Sequence, residues 1–126
     1  MNYPDNIEEI KKFAKKIKLD VEYLLGEKYE GNLWLPSVKS LPDNIKFNVS
    51  RNLMLDSVKS LPANIKFNVG SLLDLSSVKS LPSNIVFNVG GSMWLSSVRS
   101  LSSNTIFNVK RKIYFPTDHK VKVIWN

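Results

Sequence analysis

His119 stands beside Asp118 near the end of a 126-residue chain with one histidine and no cysteine. A histidine next to a carboxylate is the minimum needed for proton transfer or for a metal ligand. Catalysis asks for more: a nucleophile, acid or base held against a partner in a defined environment. The remaining acids beyond residue 30 are Asp43, Asp56 and Asp74. They fall at different points of the sequence pattern, so they form no carboxylate pair for acid–base work or for a cation. The missing cysteine removes disulfides and thiolate metal sites. No GxxxxGK[ST] phosphate cradle, no GxGxxG turn and no glycine–aspartate calcium repeat occurs. A lone histidine is more often a surface residue than a catalyst. The expectation is a non-enzyme without catalytic residues, metal site or cofactor.

Binding chemistry is better represented. Lys39, Lys59, Lys79 and Arg99 recur at intervals of 20 residues, and Lys46 and Lys66 form a second, shorter row. Rows of cations can meet phosphates or a strip of carboxylates. At the same interval run Trp34, Met54, Asp74, Trp94 and Tyr114. Aromatic residues and methionine are enriched where proteins grip partners. Both sets are candidate partner-binding residues.

The elements that position them come from a repeat. Four units align without a gap: GNLWLPSVKSLPDNIKFNVS (31–50), RNLMLDSVKSLPANIKFNVG (51–70), SLLDLSSVKSLPSNIVFNVG (71–90) and GSMWLSSVRSLSSNTIFNVK (91–110). Twenty residues is too short for two packed helices, and Pro42, Pro62 and Pro82 would interrupt one. The length suits one coil of a β-solenoid. Leu33 and Leu35, with their copies, alternate as a strand does. Val38 and Leu41 follow at a spacing of three, which predicts a turn or a short 3₁₀ segment between them. Ile45-x-Phe47-x-Val49 alternates again and recurs at 65–69 and 85–89; the fourth unit has Thr105 in the isoleucine place. Position 34 lies between two inward leucines and so must point outward. Gly70, Gly90 and Gly91 sit at one bend, where a positive φ is expected. Asn44, Asn64, Asn84 and Asn104, and likewise Asn48, Asn68, Asn88 and Asn108, are expected to stack as amide ladders. No coil buries its apolar face alone, so the stack is the folding unit.

The ends read as caps, which a solenoid needs to cover its edge strands. Residues 1–30 form a helical N-terminal cap, 31–110 the four repeats, and 111–126 a partial repeat and a capping strand, all one domain. Asp5 or Asn6 can N-cap a helix, with Glu8 or Glu9 completing a capping box. Ile7, Ile10, Phe13, Ala14 and Ile17 give that helix one apolar face for the first coil. Asp20 can start a second short helix, VEYLL, with Gly26 as its C′ residue. Val121, Val123 and Trp125 alternate with Lys120, Lys122 and Ile124 as a closing strand. Residues 1–30 carry six lysines against seven Asp/Glu, whereas residues 31–126 carry twelve Lys/Arg against four Asp. The repeat region is therefore a basic body. The opening MNYPDNIEEIKKF is polar and mixed in charge, so neither a signal peptide nor a membrane association is expected. With no cysteine, a reducing compartment such as the cytoplasm fits best.

The SLPxNI element resembles the LPxxL/I element of bacterial leucine-rich repeats, whose 20-residue units lead from an LxL strand into an SLP turn. LWLPSVKSLPDNI has that order, and the resemblance spans residues 31–110. Similar short repeats occur in bacterial and bacteriophage proteins. The resemblance implies a mostly β, right-handed parallel β-solenoid that works as a binding scaffold. It departs from LxLxxNxL at Val58, which stands where a buried asparagine is usual, and its KFNV strand is stronger. That points to a flattened β-helix rather than an open horseshoe. The expected function is protein–protein interaction through the Trp34 row, with the basic column steering a partner that is acidic. By analogy, the role is that of an inhibitor or adaptor, one form being a phage-encoded protein acting on a host complex. The alternative is nucleic-acid binding by the lysine columns.

Overall fold

The computed structural model describes residues 3–117 and 121–124. Their twenty-residue periodicity becomes a β-solenoid of about four coils with one N-terminal α-helix. Helix α1 (Ile7–Ile17) and a 3₁₀ turn (Val21–Leu24) lead into strand β1 (Leu25–Tyr29). Each coil then contributes a two-residue strand and a four-residue strand. The short ones are β2 (Leu33–Trp34), β4 (Leu53–Met54), β6 (Leu73–Asp74), β8 (Met93–Trp94) and β11 (Ile113–Tyr114). The longer ones are β3 (Lys46–Val49), β5 (Lys66–Val69), β7 (Val86–Val89) and β10 (Ile106–Val109).

The longer strands form one parallel sheet in the order β1-β3-β5-β7-β10, and the short ones a second. Within the repeats the register is one unit: Phe47 lies beside Phe67, Phe67 beside Phe87 and Phe87 beside Phe107. Leu33, Leu53, Leu73, Met93 and Ile113 align in the same way. Identical side chains therefore pack on their own copies. The buried core is made of the predicted Leu, Val, Ile and Phe columns, closed at the N-terminal end by Ile10, Ala14 and Leu24. The Phe column stacks nearly parallel, with centroids 5.9, 5.4 and 5.5 Å apart.

The bends differ in detail from the sequence expectation. The hydrogen-bonded turn lies one step earlier than predicted: the N–H of Val38 donates to the carbonyl of Leu35 at 3.2 Å, and each later coil repeats the bond. A second turn follows at Asp43–Asn44. There Asn44, Asn64 and Asn84 adopt φ of 69°, 57° and 61°. Asparagine is among the few residues that tolerate this left-handed region, because its short amide can bond locally. The amide ladders form between pairs of coils rather than continuously, and Asn48 Nδ2 donates instead to the carbonyl of Gly26. Asn64 Nδ2 donates to Asn44 Oδ1 at 3.1 Å, and Asn108 Nδ2 to Asn88 Oδ1 at 3.0 Å. Gly70, Gly90 and Gly91, by contrast, have no positive φ. A Cβ on any of them would collide with a backbone carbonyl of the coil beneath. They are small because coil approaches coil there.

The N-terminal cap is bolted to the ladder. Asn6 occupies the N-cap position but makes no side-chain cap bond, so the predicted capping box does not form. Its amide instead donates to the carbonyl of Asp43 and accepts from Asn44 Nδ2, both at 2.9 Å. The second predicted helix is only the 3₁₀ turn, and Gly26 lies within β1 with φ 105°. The register of β1 on β3 slips there, between Leu25 and Lys28, as a bulge does.

The C-terminal closure explains the drift from SVKSLP to SVRSLS. Only in the fourth coil does this segment become a strand, β9 (Ser100–Ser102), and β12 (Lys122–Ile124) pairs with it in parallel. Earlier coils have proline at the position of Ser102, and proline offers no N–H to a neighbouring strand. Ser102→Pro is therefore expected to lower hydrogen-exchange protection at residues 122–124 by about tenfold or more, leaving β5 and β7 protected. Ser102→Ala, which keeps the N–H, separates this effect from loss of the hydroxyl. Unchanged protection in the proline variant would show that β12 does not depend on that edge. The closing-strand residues Lys120 and Trp125 lie outside the described residues.

Candidate functional site

Alternation in the short sheet places one side chain per coil on its outer surface. Trp34, Met54, Asp74, Trp94 and Tyr114 follow one another in register. Trp34 is 63% exposed, Trp94 39% and Tyr114 43%. Neither α1 nor the described C-terminal residues cover them. Met54 is half-buried. Asp74 departs from the row. It is only 4% exposed, and its Oδ1 accepts the N–H of Ser76 at 2.9 Å. An aspartate bonding its own backbone two residues on is an Asx turn, so this side chain shapes the bend and offers little to a partner.

Two ends of the row are ordered by local contacts. The Trp34 indole N–H donates to Asp56 Oδ1 at 3.0 Å, which fixes one edge of the ring and leaves its faces open. Trp94 and Tyr114 meet edge to face, with centroids 6.4 Å apart. Lys112 Nζ sits 4.9 Å from the Tyr114 ring centre, within cation–π range.

Lys39, Lys59, Lys79 and Arg99 are all exposed. Their backbones are bonded coil to coil: Lys59 N donates to Lys39 O at 3.2 Å, Lys79 N to Lys59 O at 3.3 Å, and Arg99 N to Lys79 O at 2.7 Å. Among the described residues, ion pairs join Lys11 to Glu8 and Lys28 to Glu30 and leave Lys39, Lys59 and Lys79 without a carboxylate partner. On the other sheet Lys46 and Lys66 are neighbours in register, but their row continues as exposed Val86 and Ile106. That row is basic over two coils only.

The aromatic row and the basic column meet at the first coil. A hollow of about 470 Å³ is lined by Trp34 and Lys39 together with Phe13, Lys16, Ile17 and Val38. The opposite end of the row borders a second hollow of about 430 Å³, where Trp94, Tyr114 and Arg111 stand over the backbone of Gly90 and Gly91. Sequence reasoning did not bring Phe13, Lys16 or Arg111 to the site. The spacing of Lys12 and Lys16, four apart on α1, was the available signal, since it puts both on one helix face. His119 and Asp118 lie outside the described residues. Among the described residues no cluster of His, Cys, Asp or Glu could hold a metal ion, and no helix is long and apolar enough to cross a membrane.

These features define a repeat solenoid with an exposed aromatic and basic surface. No protein-family model, curated protein or solved structure matches the chain.

Proposed function

We propose that the chain is a non-enzymatic binding scaffold that captures a protein partner through Trp34, Met54, Trp94 and Tyr114. The observation that carries this reading is the exposure of three aromatic rings in one row of the short sheet, on a solenoid that buries its repeated Phe47, Phe67 and Phe87. Burial of such rings against a partner is a large source of affinity, and a few of them dominate most interfaces. The uncompensated Lys39, Lys59 and Lys79 favour an acidic partner and raise its rate of encounter. An inhibitor or adaptor, including a phage protein acting on a host complex, is the form this role takes by analogy.

The same lysines support nucleic-acid binding as the second reading. Against it, Asp56 places a carboxylate at the indole edge of Trp34, where a phosphate chain would be repelled. Trp94 and Tyr114 also present a T-shaped pair rather than free parallel faces for bases. Affinity capture from native host extract, with and without nuclease, separates the two. Trp34→Ala with Trp94→Ala is expected to weaken the captured partner more than about a hundredfold, at roughly 2 kcal/mol per anchor. Charge reversal at Lys39, Lys59 and Lys79 is expected to slow association and blunt its salt dependence. Binding that needs nuclease-sensitive material and ignores the tryptophans would favour the nucleic-acid reading.

A further inference from the structure

The hollow beneath Trp34 extends along the seam between α1 and the first SVKSLP bend. A second hollow of about 330 Å³ shares Phe13, Lys16 and Ser40 with it and ends at Leu41 and Pro42. Together they make a groove with a largely apolar floor: Phe13 and Ile17 from the helix, and Leu35, Val38 and Leu41 from the coil. Phe13 and Ile17 are half-buried, so each still presents apolar surface toward solvent. The rim is basic. Lys12 and Lys16 stand on the helix side and Lys39 on the bend side, and none has a carboxylate partner among the described residues. Glu9 is the one carboxylate in the lining.

A floor that gains by losing water, bordered by three uncompensated cations, selects an occupant carrying apolar groups flanked by negative charge. Each hollow is of the size that proteins use for small ligands or single anchoring side chains. The groove is also continuous with the aromatic row at Trp34, so an occupant seated in it is directed onto Met54 one coil away. We infer that this groove is the anchor subsite for an acidic, extended segment of the partner protein, which inserts one or two apolar side chains between α1 and the first bend. The inference rests on the reading of the Trp34 row as a protein-binding face.

Fluorescence polarisation with labelled synthetic dodecapeptides tests it. One peptide carries a central Leu-Phe pair flanked by glutamates, the second has lysine for every glutamate, and the third has serine for Leu and Phe. The first is expected to bind at least about tenfold more tightly than either of the others. Ser40→Trp fills the groove from an exposed position without removing a core contact, and Lys16→Glu with Lys39→Glu inverts the rim. Each change is expected to cost about tenfold or more, with an unchanged circular dichroism spectrum, whereas Lys110→Glu, an exposed site at the end of the fourth coil, should leave binding as it is. The inference is overturned if the acidic peptide fails to bind, if the serine peptide binds equally, or if Ser40→Trp has no effect. Displacement of the peptide by laurate would assign the groove to a lipid anion, and displacement by an oligothymidylate would assign it to nucleic acid; either result also overturns it. Retention of a Trp94-dependent partner by Ser40→Trp would sink the groove alone and leave the scaffold reading standing. Loss of the Trp94 dependence itself would remove both.

Discussion

Phe67→Ala is expected to remove about 3–5 kcal/mol of folding free energy, the usual cost of deleting a fully buried phenylalanine. Phe67 is 2% exposed and lies between two copies of itself, Phe47 at 5.9 Å and Phe87 at 5.4 Å, with interplanar angles of 16° and 21°. Its truncation therefore opens a void in the middle of the stack and breaks two ring contacts, each worth about 0.5–1.5 kcal/mol beyond area burial. Against a total stability of roughly 5–15 kcal/mol, the loss brings the chain close to unfolding. The same change at Phe107 should cost less than half as much. Phe107 is half-buried at the C-terminal end of the column, stacked on Phe87 and meeting Phe115 edge-on. Urea unfolding followed by circular dichroism measures both. Equal losses at the two positions would mean that the column does not carry the core as described.

The contrast between these two phenylalanines follows from what a repeat can and cannot encode. Self-similarity at 20 residues states that each side chain meets its own copy, so the Phe47, Leu33 and Val38 columns were readable directly. Alternation then put Trp34 and its copies outside. Contacts made once are written nowhere in the repeat. Strand β1 has the sequence LGEKY and shares no pattern with IKFNV, yet it completes the edge of the longer sheet because β3 offers an unpaired edge there. Asn6 read as a helix cap, but the nearer demand was the free end of the Asn44 ladder. Asp74 read as outward and available, since strand geometry fixes direction but not whether a short side chain folds back on its own backbone. Thr105 interrupts the isoleucine column and leaves its hydroxyl buried without a hydrogen-bond partner among the described residues. The groove belongs to the same class: it lies between a unique helix and the one coil that touches it.

Deleting residues 71–90 is expected to leave a folded protein with a cooperative unfolding transition. Removing one whole unit seats coil 51–70 beneath coil 91–110 in the old register, with Phe67 under Phe107, Leu53 under Met93 and Asn64 under Asn104. Nearest-neighbour packing is preserved everywhere, so stability falls by one coil and its interface rather than collapsing. The urea m-value should drop by roughly a sixth, in proportion to the 20 of 126 residues removed. Deleting only residues 71–80 is the opposing case. It offsets the chain by half a coil, lays strands over bends, and should abolish the far-ultraviolet strand signal. A folded half-unit variant would show that the coil is not the repeat. The whole-unit variant also carries a functional consequence that does not depend on stability. Trp34 and Trp94 move from three coils apart to two, from about 14 Å to about 10 Å. If one rigid partner spans both rings, its affinity should fall about as far as in Trp94→Ala, even though every aromatic residue is still present.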